Sequence, residues 1–139
     1  MSVKIYAIKD SSLIRVEHNW LPAEATANLF KGLRLDNLRY WTVDGIFDPA
    51  MKAAGIFDYS GSPSDHLDED FITNEDSLVM MFRPNQTSDW QQADNFIVNR
   101  VGNDSDKVGA VIVYPLKKGQ YALAVYNSKL PVETENTII

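Results

Sequence analysis

The sequence contains no cysteine, and its only histidines are His18 and His66. The absence of cysteine excludes disulfide bonds, thiolate zinc sites and cysteine nucleophiles, and it is typical of a reducing compartment. The N-terminal residues lack the apolar run of a signal peptide, and no stretch approaches the roughly 18 apolar residues of a membrane span. We therefore expect a cytoplasmic protein without a membrane segment.

The common signatures of nucleotide-binding proteins and hydrolases are also missing. The sequence has no GxGxxG, no GxxxxGK followed by Ser or Thr, no HExxH and no GxSxG. Residues 103–109 (NDSDKVG) superficially suggest a calcium loop, but twelve positions counted from Asp104 end at Pro115 instead of the glutamate that calcium needs. No cofactor is predicted, and the absence of these signatures favours a non-enzymatic protein without excluding an enzyme.

What is present is an ordinary globular composition. The chain has 139 residues, of which 45% are hydrophobic and 23% are charged. This length suits one core, so residues 1–139 are predicted to form a single domain. If the protein self-associates, a two-fold homodimer is the commonest arrangement.

Hydrophobic periodicity predicts an α+β fold, with a mainly antiparallel sheet of about five to seven strands and two helices. The better helix covers about 22–34, because Pro22 suits a first helical position and apolar residues follow at helical spacing. A short helix covers about 48–54, since Asp48 can cap its start, Pro49 follows, and Gly55 can end it.

Strands are predicted at 3–8, 13–17, 37–43, 77–83, 109–114 and 120–126. The first two are expected to pair as a hairpin, and so are the last two, which a short connector joins. Asp44-Gly45 predicts a turn after the third strand, and 58–76 a long surface loop. Residues 90–101 fit a helix start and then an alternating strand, so they stay ambiguous.

The formal net charge is −6, and it is unevenly spread. Residues 36–76 hold ten acidic and two basic side chains, whereas 77–139 hold six of each. Because an acidic chain repels a phosphate backbone, nucleic acid is an unlikely ligand, and a protein with a basic surface is the expected partner.

The densest cluster of chemical groups is SDHLDED at 64–70. Its carboxylates are the predicted partner-binding residues, namely Asp65, Asp68, Glu69 and Asp70. The resulting hypothesis is a non-enzymatic binding or inhibitor protein, of the immunity, inhibitor or nucleic-acid-mimic class. The same residues with His66 could instead hold a divalent metal or orient a general base, although charge runs are mostly solvated surface.

The alternative hypothesis is a small-molecule-binding domain or enzyme that holds an anionic ligand. Guanidinium groups bind carboxylates and phosphates in a forked geometry, and tryptophan supplies flat apolar area. The predicted lining of such a pocket is Arg39, Trp41, Arg83 and Trp90. A third reading, a structural subunit of a larger assembly, follows from the open edges that a small sheet presents.

Overall fold

The computed structural model describes residues 1–21, 33–36, 39–60, 78–100 and 108–126. Within these ranges every regular element is a β-strand. The ten strands are β1 (Ser2–Ala7), β2 (Leu13–Asn19), β3 (Leu33–Leu35), β4 (Tyr40–Ile46), β5 (Lys52–Ser60), β6 (Leu78–Arg83), β7 (Gln91–Gln92), β8 (Phe96–Arg100), β9 (Val108–Val113) and β10 (Gly119–Tyr126).

The strands form two antiparallel sheets. The smaller sheet has the order β1-β5-β9-β8, and the larger has the order β2-β4-β10-β6-β7. The third strand also pairs with β10, beside its last residues 124–126, while β4 pairs with residues 119–121 of the same strand. The long β10 thus lies in the middle of the six-stranded sheet and pairs with three other strands, β3, β4 and β6.

The two sheets pack face to face as a β-sandwich, because alternate residues of both sheets enter one apolar core. Phe57 of the smaller sheet contacts Trp41 and Tyr121 of the larger sheet, with a ring-centroid separation of 5.1 Å in each case. All three side chains are 1% exposed or less. The middle of the core is therefore built from aromatic rings that bridge the sheets.

Two hydrogen bonds between the sheets fix their relative direction. At one end, the backbone N–H of Leu116 donates to the carbonyl oxygen of Ala53 at 2.9 Å, so β10 and β5 begin together. At the other end, the guanidinium of Arg39 donates to the carbonyl oxygen of Asp58 at 2.7 Å. Hence β5 and β10 run toward the same end of the sandwich.

The predicted α+β class is wrong, since the described part of the chain is all-β. Residues 22–32 of the predicted helix at 22–34 lie outside the described ranges. Its last two residues, Leu33 and Arg34, belong to β3 and pair with Tyr126 and Val125 of β10. In those described ranges no helix is long and apolar enough to cross a membrane.

The predicted short helix at 48–54 is also wrong. Asp48 caps a turn here, because its carboxylate accepts the backbone N–H groups of Lys9 and Asp10 at 2.8 Å each. These two bonds, Asp10 first, hold the pKa of Asp48 below its ordinary value. The chain then enters β5, where Gly55 pairs with Val3 on one side and Val113 on the other.

The predicted hairpins are wrong in pairing, although their strands lie within a residue or two of the expected positions. The first strand pairs with β5 and the second with β4. Likewise β9 and β10 belong to different sheets, so the connector 114–118 crosses the sandwich. Asp44-Gly45 lies within β4 instead of forming a turn, and Gly45, at φ 135°, pairs with Ile14.

Gly119, the first residue of β10, occupies a backbone position that other residues rarely adopt, with φ at 148°. A Cβ atom there would lie 2.5 Å from the carbonyl oxygen of Arg83 and 2.6 Å from the ring of Phe82. Gly119→Ala should therefore lower the free energy of unfolding by about 2 kcal/mol, through backbone strain and overlap together.

Urea unfolding followed by circular dichroism measures this loss. Gly55→Ala is the matched control, because its φ is not positive and the three atoms nearest to its new Cβ belong to side chains, those of Leu116 at 2.8 Å, Phe57 at 2.9 Å and Met1 at 3.2 Å. We expect that control to cost about 1 kcal/mol, the lower end of the cost of overpacking, since it adds overlap without backbone strain. Equal losses of unfolding free energy at the two positions would mean that backbone strain at Gly119 is not the cause of the larger expected effect.

Candidate functional site

The four carboxylates predicted to bind a partner, Asp65, Asp68, Glu69 and Asp70, lie outside the described residues. They belong to the segment 61–77, which joins the last residue of β5 to the first residue of β6. This segment contains six acidic residues and no lysine or arginine. What the structure adds is the location of the strand ends to which it is attached.

Four chain segments join the described strands at one end of the sandwich; one of them, 22–32, joins Leu21 to the start of β3 beside Tyr126 and carries one acidic and one basic residue. Ser60, the end of β5, pairs with Val108, the start of β9, and the end of β8 lies beside them. In the other sheet Leu78 pairs with Val125, next to the end of β10. Because β5 and β10 run in the same direction, all these strand termini share one end, which we call the acidic end.

The name reflects the charge of the three acidic segments attached there, 61–77, 101–107 and 127–139. Together they carry ten acidic and two basic residues, whereas the rest of the chain carries nine acidic and eleven basic ones. The net negative charge of the protein therefore belongs entirely to these segments. The remaining chain, which includes the whole described frame, is slightly basic.

An exposed aromatic residue stands beside the acidic end. The second strand runs toward this end and terminates at Asn19, so Trp20 and Leu21 follow at the rim. Trp20 is 60% exposed and Leu21 47% exposed. The Trp20 ring lies 4.5 Å from the imidazole of His18, which itself stacks on Trp41 at 5.4 Å.

Trp20 was not among the residues predicted to function. Its only sequence signal was two consecutive large apolar residues, Trp20 and Leu21, directly after the polar residues 17–19. Aromatic residues exposed beside charged surface are the side chains that most often anchor protein interfaces. The sequence alone could not show that this tryptophan, unlike Trp41 and Trp90, is left uncovered.

Arg39 and Trp41, two of the predicted ligand-binding residues, do lie together. The guanidinium carbon is 4.6 Å from the centroid of the Trp41 ring, within cation–π range. Both side chains are buried, with Arg39 at 4% and Trp41 at 1% exposure. Here the arginine completes the core at the edge of the sandwich and bonds the backbone of β5.

Arg83 and Trp90 form a second pair of the same kind. The guanidinium carbon lies 4.3 Å from the Trp90 ring centroid, and Nε donates to Gln120 Oε1 at 2.8 Å. Arg83 is 1% exposed and Trp90 3%. Strand alternation places this pair on the outer face of the six-stranded sheet, opposite Trp41, so the four predicted residues do not converge on one pocket.

A polar row continues from this pair across the outer face of the larger sheet. The side-chain amide of Gln120 donates to Thr42 Oγ1 at 3.4 Å, and the amide of Asn19 donates to the same oxygen at 3.1 Å. The row therefore links β6, β10, β4 and β2 through their side chains. Such a network satisfies the buried polar groups of these strands and fixes their lateral order.

At the opposite end of the sandwich lies a cleft of about 560 Å³. Lys117 and Asp94 form an exposed ion pair at its rim, with N and O 3.4 Å apart. Tyr121 accepts the backbone N–H of Lys117 at 3.0 Å, and burial raises the pKa of this phenol to about 12. The cleft thus presents a neutral phenol and no group of three potential metal ligands among the described residues.

Comparison with known proteins gives no further assignment, since no protein family, curated protein or solved structure matches this chain.

Proposed function

We propose that this protein is a non-enzymatic binding module that engages a basic site on another protein through its acidic end. The observation that supports this most strongly is where the acidic segments are attached to the fold. Strand order alone places at one end of a slightly basic sandwich the strand ends to which three segments with ten acidic and two basic residues are attached. A rigid β-sandwich with its recognition segments gathered at one end is a common arrangement for binding proteins.

Charge concentrated in this way acts on association more than on the final affinity. An acidic end accelerates encounter with a basic surface and orients the sandwich toward it. Since the Debye length is about 8 Å at physiological ionic strength, this acceleration fades as salt is added. Trp20, exposed at the same rim, supplies the apolar contact that would slow dissociation once the surfaces meet.

The ligand-binding alternative receives less support from the geometry. An anion would have to displace two tryptophan rings from guanidinium groups that are already buried and hydrogen bonded. Arg39 and Arg83 also lie on opposite sides of the larger sheet. Both arginines are placed where they stabilise the sandwich.

The first experiment neutralises the predicted carboxylates together, as D65N/D68N/E69Q/D70N. The wild-type protein is immobilised, proteins from its own cell extract are eluted by a salt gradient, and the retained protein is purified. We expect the quadruple variant to associate with that protein about tenfold more slowly at low salt. The slope of the logarithm of the association rate against salt should also flatten.

The matched control removes the same charge elsewhere, as D10N/D44N/D89N/D94N, four exposed carboxylates of the described frame. This control should keep most of the association rate, because its carboxylates are dispersed away from the acidic end. If both variants slow association equally, net charge and not the acidic end governs binding. If neither changes the rate, the proposed function is wrong.

A further inference from the structure

The outer face of the four-stranded sheet carries a row of isoleucines. Register places Ile56 of β5 opposite Ile112 of β9, and Ile112 opposite Ile97 of β8. Directly opposed residues share a face of a sheet, so three isoleucine side chains stand side by side across three strands. The neighbouring core row contains Val3, Val113 and Phe96, which confirms that the isoleucines point away from the core.

Among the described residues, none covers this surface, which we call the isoleucine face. Ile97 is 67% exposed, and Ile56 and Ile112 are partly exposed. Tyr6 and Tyr114 extend the apolar area at one side, with ring centroids 5.9 Å apart and exposures of 58% and 40%. A contiguous apolar area of this kind on a sheet marks an interaction surface.

A positive and a negative side chain lie on either side of the isoleucine row, one in each direction along the strands. Lys4 lies beside Ala54, two residues from Ile56 in one direction, and Asp58 lies two residues from Ile56 in the other. Both side chains are exposed, and Asp58 also has the N-terminal ammonium 3.9 Å away. Four residues of strand separate Lys4 from Asp58, about 14 Å, which is too far for an ion pair within one chain.

We propose that the isoleucine face is the interface of a homodimer, with its two-fold axis along the isoleucine row. This operation lays one isoleucine row on the other and reverses the strand direction. It brings Lys4 of each copy to within one strand spacing of Asp58 of the other copy, so both charges gain an opposite neighbour. A self-complementary patch with two reciprocal ion pairs is what an isologous interface requires.

The same axis keeps the two acidic ends apart. Reversing the strand direction sends these ends to opposite poles of the dimer, whereas an axis parallel to the strands would place them side by side. Because the segments attached to each acidic end carry ten acidic and two basic residues, the first arrangement has the lower electrostatic cost. Both acidic ends would stay free to bind partners, so the dimer and the proposed function stand or fall separately.

The test is a charge-exchange experiment with full-length chains. In a dimer of the Lys4→Glu variant, each introduced carboxylate lies opposite Asp58 of the other copy. In a dimer of the Asp58→Lys variant, each introduced amine lies opposite Lys4 of the other copy. Each single variant should dimerise about tenfold more weakly than wild type, since like charges oppose one another. Mixed in equal amounts, the two variants present only opposite charges, and a heterodimer should form with the wild-type dissociation constant.

Sedimentation equilibrium between about 1 and about 100 μM measures these constants, and native mass spectrometry distinguishes the heterodimer by its mass. The matched control exchanges the charges of the ion pair Lys117–Asp94, which lies at the cleft away from the isoleucine face. Neither Lys117→Glu nor Asp94→Lys should alter self-association. Thermal unfolding of every variant checks that the fold is retained.

A second variant pair tests the apolar centre. Ile97→Asp should weaken dimerisation at least about tenfold, because the interface would bury an unpaired carboxylate. Ile46→Asp, at a 72% exposed position in the other sheet, should leave it unchanged. A wild-type protein that stays monomeric at about 100 μM, or a dimer that is indifferent to Ile97→Asp and to charge exchange, would overturn the proposal.

Discussion

Trp41→Ala is expected to lower the free energy of unfolding by about 3–5 kcal/mol, the usual cost of truncating a fully buried large aromatic. The Trp41 ring is 1% exposed and lies between elements of both sheets, 5.1 Å from the ring of Phe57 and 5.4 Å from that of His18. Its removal leaves a large cavity at the centre of the aromatic bridge. It also takes from the buried Arg39 guanidinium the ring at 4.6 Å against which it packs.

Urea unfolding followed by far-ultraviolet circular dichroism gives the loss, because a fluorescence signal would change with the tryptophan itself. Trp20→Ala is the matched control: the same truncation at a side chain that is 60% exposed should cost less than about 1 kcal/mol. Trp41→Phe should fall between the two. A Trp41→Ala protein as stable as the Trp20→Ala protein would mean that the sheets are not held by this aromatic bridge.

Such a bridge explains why the strands of this protein could be predicted but their partners could not. GAVIVY and QYALAVY are short apolar runs rich in β-branched and aromatic residues, and such runs predict buried strands from the sequence alone. Whether two consecutive strands pair or pack depends on which surface each buries. Val111 and Tyr121 enter the core from opposite sheets, so these strands face each other across the sandwich.

The helix prediction at 48–54 failed for a different reason. Asp-Pro followed by alanines satisfies the local rules for a helix start. The intrinsic helix propensity of such a short segment is, however, only a weak preference. In the structure two long-range hydrogen bonds from the backbone of Lys9 and Asp10 occupy the Asp48 carboxylate. Pairing of β5 with both β1 and β9 then outweighs the weak helical preference of residues 52–54.

The candidate site was predictable in its charge but not in its geometry. The acidic cluster around Asp65 is plain in the sequence, whereas the attachment of three acidic segments at one end of the sandwich depends on the order of strands in two sheets. The pairing of each arginine with the tryptophan near it in sequence was also foreseeable. That both pairs are buried was not, because an arginine at a strand end is usually exposed.

This burial leads to an expected loss of about 3 kcal/mol in the free energy of unfolding for Arg83→Ala. The substitution deletes a side chain that is 1% exposed, and it removes the donor 2.8 Å from Gln120 Oε1 and the cation 4.3 Å from the Trp90 ring. The Gln120 amide, 8% exposed, would lose a charged hydrogen-bond donor without gaining water. A ligand-binding arginine, in contrast, could be truncated with little effect on folding.

Urea unfolding distinguishes the two roles through a double variant. Arg83→Met keeps the length of the side chain against Trp90 but leaves the Gln120 carbonyl oxygen without this donor, so it should still destabilise the sandwich. Adding Gln120→Leu removes that polar group as well. It also removes the 3.4 Å bond to Thr42 Oγ1, but this hydroxyl keeps the Asn19 amide as a donor, and replacing both partners of a buried bond by apolar side chains is often nearly neutral. We therefore expect the R83M/Q120L protein to be more stable than R83M alone. If the Arg83→Ala protein were as stable as wild type, Arg83 would not be needed for folding and would again be a candidate ligand-binding residue.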